Sequence, residues 1–172
     1  MQGYARPVVF VAVFLGFVVV LTTAFHEVPS VWHAVVLRPV SVVSYGILSA
    51  LLPTISLSAG VQFYDLLLPE VTLRVTYGCT GIFALFILVS AVAAFPTTIR
   101  SKIRGLAWIV PVFYVYSVLR IVIMGMVGAS APGYLDAVHS YLMEIVNVGF
   151  LIGVYATWIE QSGGFFVARV AR

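Results

Sequence analysis

Residues Gly105 to Val127 read GLAWIVPVFYVYSVLRIVIMGMV, a run whose single charge is Arg120. About 20 apolar residues rising ~1.5 Å each cross a hydrocarbon core of ~30 Å, so the run predicts a membrane-spanning helix. An arginine inside such a helix costs ~2.5 to 3.5 kcal/mol on insertion scales, and it must face the interior of a bundle rather than lipid. The stretch therefore calls for neighbouring spans that enclose it.

Four further apolar stretches supply them: Val8 to Phe25, His33 to Leu52, Gly81 to Phe95 and Tyr141 to Ile159. The second is interrupted by Arg38, Pro39 and several serines, and the third is closed by Pro96. The composition agrees: 62% of the 172 residues are hydrophobic and 9% charged, against roughly 25% charged in a soluble domain. Too few polar side chains exist to cover a water-facing surface. The reading is an all-α polytopic transmembrane bundle of about five spans, one integral membrane domain over residues 1–172, without internal repeats. The net charge of +3 comes from scattered basic residues with no binding motif, so no nucleic-acid partner is expected.

Thr54 to Tyr77 has a different texture. Val71, Leu73 and Val75 alternate with Thr72, Arg74 and Thr76, the period of a strand, and Val61 to Asp65 could pair with it. This predicts a small β-hairpin before the third main helix, outside the hydrocarbon or buried in protein. Basic residues mark the cytoplasmic side: Arg100, Lys102 and Arg104 put the loop between the third and fourth spans there, and Arg169 and Arg172 put the tail there. The hairpin, Cys79 and the loop from Gly128 to Asp136 are then extracytoplasmic. Five spans place the amino terminus outside, against Arg6; if the second stretch does not cross, the terminus turns inward. Pro7 to Leu21 could also serve as a signal peptide, but no soluble domain follows and it reads as a retained anchor.

Three side chains then share one membrane face. Cys79 is the chain's only cysteine, so it forms no internal disulfide and cannot work as a dithiol. It precedes the third span, where the positive end of a helix favours an anionic sulfur, with Thr80 and Gly81 as cap and close-approach residues. The plain alternative is a buried, inert cysteine. Arg120 is the only charge between Gly105 and Leu135; it could stabilise a developing oxyanion, or snorkel, or form a structural ion pair with Asp136 or Glu144. His139 opens the fifth span and could take the thiol proton and return it to a leaving amine, or it could simply sit at the interface. Together, nucleophile, base and fixed cation make acyl-transfer chemistry. His26, Glu27 and His33 form a poor chelate, so no metal site and no cofactor are expected.

Val75-Thr76-Tyr77-Gly78-Cys79-Thr80-Gly81-Ile82, a span ending in Phe95-Pro96, then Ser117-Val118-Leu119-Arg120-Ile121 and finally His139 resemble the exosortase and archaeosortase family over roughly Gly60 to Trp158. The resemblance implies a membrane-embedded thiol protease or transpeptidase with Cys79 as nucleophile, Arg120 as stabilising cation and His139 as base. Its partners would be exported proteins carrying a carboxy-terminal sorting signal with a hydrophobic span, and membrane lipid, with a lipid or another acceptor as a destination for the cleaved end. Two features depart from the pattern. Ser117 stands where many members carry Asn, and the chain is shorter than most bacterial exosortases. The alternative function is a non-enzymatic membrane assembly or transport subunit with a structural Arg120.

Overall fold

The computed structural model describes residues 5–52 and 54–170. Helix α1 spans Ala5–Glu27; α2 (Pro29–Trp32), a π turn (His33–Leu37) and α3 (Arg38–Leu51) follow as one rod. Strands β1 (Ser56–Ala59), β2 (Tyr64–Leu67) and β3 (Thr72–Val75) lead into the single turn α4 (Tyr77–Thr80), then α5 (Ile82–Ala94) and the long α6 (Ile99–Ser130). A 3-10 turn (Pro132–Tyr134), α7 (Leu135–Ala137) and a second π turn (Val138–Leu142) precede α8 (Met143–Val170).

Among the described residues, four helices are long and apolar enough to cross a membrane: Pro7–Glu27, Pro29–Leu51, Ile99–Ser130 and Pro132–Ser162. The predicted third span is shorter than the others. α5 holds 13 residues, about 20 Å of rise, and falls short of a ~30 Å core by itself. It begins late because Gly81, at φ 71°, breaks the helix before Ile82, and it ends at Phe95 because a residue before proline is pushed out of helical geometry. The basic segment predicted as a loop is the opening of α6. Thr98 takes an extended conformation and its side chain accepts from the Ser101 amide, so Arg100, Lys102 and Arg104 lie in the first turns of a helix. Lys102 reaches back to donate to the Ala93 carbonyl at the end of α5, a favourable place for a cation.

α6 organises the bundle. Gly105 faces the Trp158 indole so closely that any side chain there would collide with it, Tyr116 stacks on Phe150 at 3.9 Å, and Arg120 meets Glu144. α8 therefore runs antiparallel to α6. α3 runs parallel to the second half of α6, with Ser44 donating to Val118 and Leu48 seated on Gly125. A proline explains one tie between them. Pro39 has no N–H to give the Val35 carbonyl one turn back, and the Tyr114 hydroxyl of α6 donates to that carbonyl instead.

The predicted two-stranded hairpin is a three-stranded antiparallel sheet of order β1-β2-β3. Its middle strand starts at Tyr64, later than the expected Val61, because Gly60 accepts a turn back from Phe63 by donating its amide to the Phe63 carbonyl at 2.9 Å. Tyr64, Leu66, Leu73 and Val75 share one face and pack with Leu37, Val40, Leu48 and Ile121. Asp65 and Arg74 are direct cross-strand partners on the other face, where Arg74 forms two hydrogen bonds of 2.9 and 3.0 Å to the carboxylate and lies 4.3 Å from the Phe63 ring.

The contacts of the first helix choose between the two directions left open for it. Phe25, near the end of α1, lies edge-on to Tyr77 at 5.0 Å and to Phe83 at 5.5 Å, and the Tyr77 hydroxyl donates to Pro29. The α1–α2 connection thus lies at the Cys79 end of α5, not at its Lys102 end. Since α1 packs along α5 with its last turn against the first turn of α5, the two are antiparallel, and α1 begins on the Lys102 side. Arg169 falls in the last turn of α8, and Arg172 lies outside the described residues.

Candidate active site at the Cys79 pocket

The pocket is built where the sheet, α4, α6 and the second π turn converge. It is a small cavity of about 240 Å³ including its open mouth, lined by Leu73, Val75, Cys79, Arg120, Ile121, Met124 and His139. The three side chains singled out from the sequence line this one cavity although they come from three separate segments. No hydrogen bond joins any two of them among the described residues.

Cys79 is placed by the backbone around it. Thr76 is extended, and its carbonyl accepts the Cys79 amide at 3.0 Å and the Thr80 amide at 3.3 Å, winding the single turn of α4. The sulfur donates to the Arg74 carbonyl at 3.6 Å and lies 3.7 Å from the Thr76 hydroxyl. A hydrogen bond from sulfur to a carbonyl needs the S–H proton, so this is the geometry of a thiol at rest. The expectation of a cysteine at the mouth of a long helix is corrected here: α4 is one turn, Gly81 separates it from α5, and neither helix has a side-chain cap at its start. Thr80 is buried and donates to the Tyr77 carbonyl, which closes the turn that carries Cys79 instead of capping α5.

Ser117 has a function that its type alone did not reveal. Its hydroxyl is buried and lies 2.7 Å from the Thr80 carbonyl and 2.9 Å from Phe113 O. The Thr80 carbonyl sits at the break between α4 and α5, ahead of the Gly81 carbonyl that starts the α5 ladder, so it depends on this contact from α6. Ser117 thereby ties the cysteine turn to the arginine helix, three residues before Arg120.

Arg120 is 4% exposed. Its Nη2 is 3.5 Å from Oε1 of Glu144, whose side chain is 61% exposed. Of the two carboxylates considered from the sequence, Glu144 is the partner. A guanidinium carries five N–H donors, and a single long ion pair to a solvent-reaching carboxylate leaves most of them available to the pocket. Asn147, one turn further along α8, was not anticipated. It accepts from Tyr116 at 3.3 Å, and its Oδ1 and the Arg120 Nη1 both border Gly81, 3.9 and 3.8 Å from where a side chain there would begin. The signal for it was the spacing Glu144 to Asn147, which puts two polar groups on one face of an apolar helix.

His139 is exposed at the pocket rim, in the π turn before α8. π turns interrupt helices often at functional positions. Above the pocket, the Arg74 guanidinium hydrogen-bonded to Asp65 holds its carboxyl below the usual carboxylate range.

Comparisons with protein-family models, with curated proteins and with solved structures find no match for this chain.

Proposed function

We propose that the chain is a membrane-embedded cysteine peptidase or transpeptidase that cuts exported proteins at a carboxy-terminal sorting signal. The observation that carries this reading is the single pocket lined by Cys79, Arg120 and His139. In the reaction His139 takes the Cys79 proton as sulfur attacks a peptide carbonyl, and the oxygen becomes an anion beside Arg120. Collapse of that intermediate breaks the C–N bond, the amine leaves with the proton held by His139, and a thioester remains on Cys79. Water or another nucleophile then takes the acyl group and restores the thiol. The sorting-signal specificity and the lipid or other acceptor rest on the family resemblance of Val75–Ile82, Ser117–Ile121 and His139.

We assign the Arg100–Arg104 side to the cytoplasm by its basic residues, with α1 starting there, and the Cys79 pocket to the extracytoplasmic face of the cell membrane. Arg6, which opposed the five-span topology, agrees with this arrangement.

A second reading has its own support. The Arg120–Glu144 ion pair and the thiol bonded to Arg74 fit a non-enzymatic assembly or transport subunit with a structural arginine and an idle cysteine. Cys79→Ser separates the two. On the enzymatic reading it abolishes carboxy-terminal processing of exported proteins while the protein remains inserted and folded, because a hydroxyl is a far weaker nucleophile than a thiolate at neutral pH. Wild-type processing by the serine variant would remove Cys79 from the mechanism.

A further inference from the structure

The sheet has two edge strands, β1 and β3, and the cysteine sits at the free edge of β3. The Leu68 amide donates to the Val71 carbonyl across the turn between β2 and β3. In an antiparallel ladder hydrogen-bonded pairs alternate with non-bonded ones. Counting from that bond through the pairs Leu67↔Thr72, Leu66↔Leu73, Asp65↔Arg74 and Tyr64↔Val75, Leu73 and Val75 spend their amides and carbonyls on β2. Thr72 and Arg74 point theirs the other way, off the free edge of β3, which ends the sheet. The Arg74 carbonyl on that edge is the one to which the Cys79 thiol donates at 3.6 Å. The side chains of Leu73 and Val75, between these edge groups, line the pocket that holds Arg120 and His139.

Resting on the peptidase reading above, we propose that the substrate binds as an extended peptide that adds to the free edge of β3 as a fourth strand. Its N–H and C=O groups pair with those of Thr72 and Arg74, and a substrate N–H takes the Arg74 carbonyl from the Cys79 thiol. Two observations choose this occupant. The unpaired groups recur at every second residue, the repeat of a strand and of nothing helical. The edge runs directly into the nucleophile's own hydrogen bond. Strand addition also couples binding to activation. In the empty site the S–H proton is held by Arg74, and a peptide N–H that replaces it frees the sulfur to pass its proton to His139 as a carbonyl arrives. The arrangement spares an unoccupied enzyme from exposing a reactive sulfur.

The test uses the full chain in lipid nanodiscs and three probes for Cys79: iodoacetamide, and two pools of tetrapeptidyl vinyl sulfones with randomised side chains, N-methylated at odd or at even amides. Vinyl sulfone addition forms one S–C bond and returns the thiol proton to carbon, so intact mass reads every probe. Because only alternate amides face β3, one methylated pool should react more slowly than the unmethylated pool by about tenfold, the effect of losing one or two backbone hydrogen bonds, and the other should react normally. Thr72→Pro, which removes an outward N–H and no bond to β2, should slow the unmethylated pool and leave iodoacetamide unchanged. Equal rates for the two methylated pools overturn strand addition, while reaction of the unmethylated pool with Cys79 faster than with a free thiol keeps the peptidase reading. Failure of Cys79 to react with any probe faster than a free thiol overturns both.

Discussion

Ser117→Ala tests whether the contact between α6 and the cysteine turn holds the site together. The hydroxyl is fully buried and lies 2.7 Å from the Thr80 carbonyl and 2.9 Å from Phe113 O. It has one proton, and Phe113 O can also take the helical bond of its own ladder, so the Thr80 carbonyl is the group that suffers. Leaving a buried acceptor unpaired costs about 1–3 kcal/mol; sharing of the proton puts the expectation near 1–2 kcal/mol, a folded-to-unfolded ratio lower by roughly 5–30-fold. Ser90 provides the internal control, since it is equally buried and its hydroxyl has no partner among the described residues. Ser90→Ala should be neutral or stabilising, because it deletes a desolvated polar group that bonds to nothing. Both variants would be unfolded reversibly in mixed micelles with increasing sodium dodecyl sulfate, and the rate of iodoacetamide labelling at Cys79 measured in the folded protein. Ser117→Ala should lose stability and alter the labelling rate, Ser90→Ala neither. Equal stability of the two variants would refute the argument that Thr80 depends on α6.

Arg120→Lys should keep the charge and lose most activity, since an ammonium cannot reproduce the planar fork; loss of an oxyanion donor is worth about 100- to 1000-fold in rate. Processing rate per folded molecule is the readout, and a loss that only tracks the folded amount would make Arg120 structural. Asp65 predicts an acid limit for the sheet. Its carboxyl is held low by Arg74, so its contribution is complete above the ordinary carboxylate pKa of about 3.9 and disappears as pH falls through the lowered folded value. Amide exchange at Leu66 and Leu73 should accelerate in that acid range, and Asp65→Asn should exchange with no such step. For topology, a cysteine at Ser101 in a Cys79→Ser background should resist an impermeant maleimide added outside intact cells, whereas one at Val61 should react; the reverse pattern would invert the assignment of faces.

Much of this was legible in the sequence because membranes impose a strong length rule. The runs around α1, α3, α6 and α8 were visible as apolar stretches, and Arg120 as a charge that had to turn inward. The alternation from Val71 to Thr76 revealed β3, while β1, with Ser56, Ser58 and Ala59, carried no comparable apolar period. The convergence of Cys79, Arg120 and His139 followed from topology alone. The contacts of the Cys79 sulfur with Arg74 and Thr76 did not, because they depend on the single turn of α4, which Gly81 separates from α5. The sidedness of α1 stayed open for a related reason. Counting spans treats every apolar stretch as a full crossing, whereas the direction of α1 is set by aromatic contacts of Phe25 with Tyr77 and Phe83 that no hydropathy profile contains.

The central claim is that Cys79 carries an acyl group during turnover, and intact mass of the protein isolated from the membranes in which it works measures this directly. Wild-type protein quenched with acid during turnover should carry a mass increment on Cys79 that hydroxylamine removes at neutral pH, and His139→Ala, which lacks the base for the first step, should carry none. The same preparation carrying Cys79→Ser should show no such increment. An unmodified mass in the wild-type protein, with processing of exported proteins continuing in the same membranes, would contradict the account.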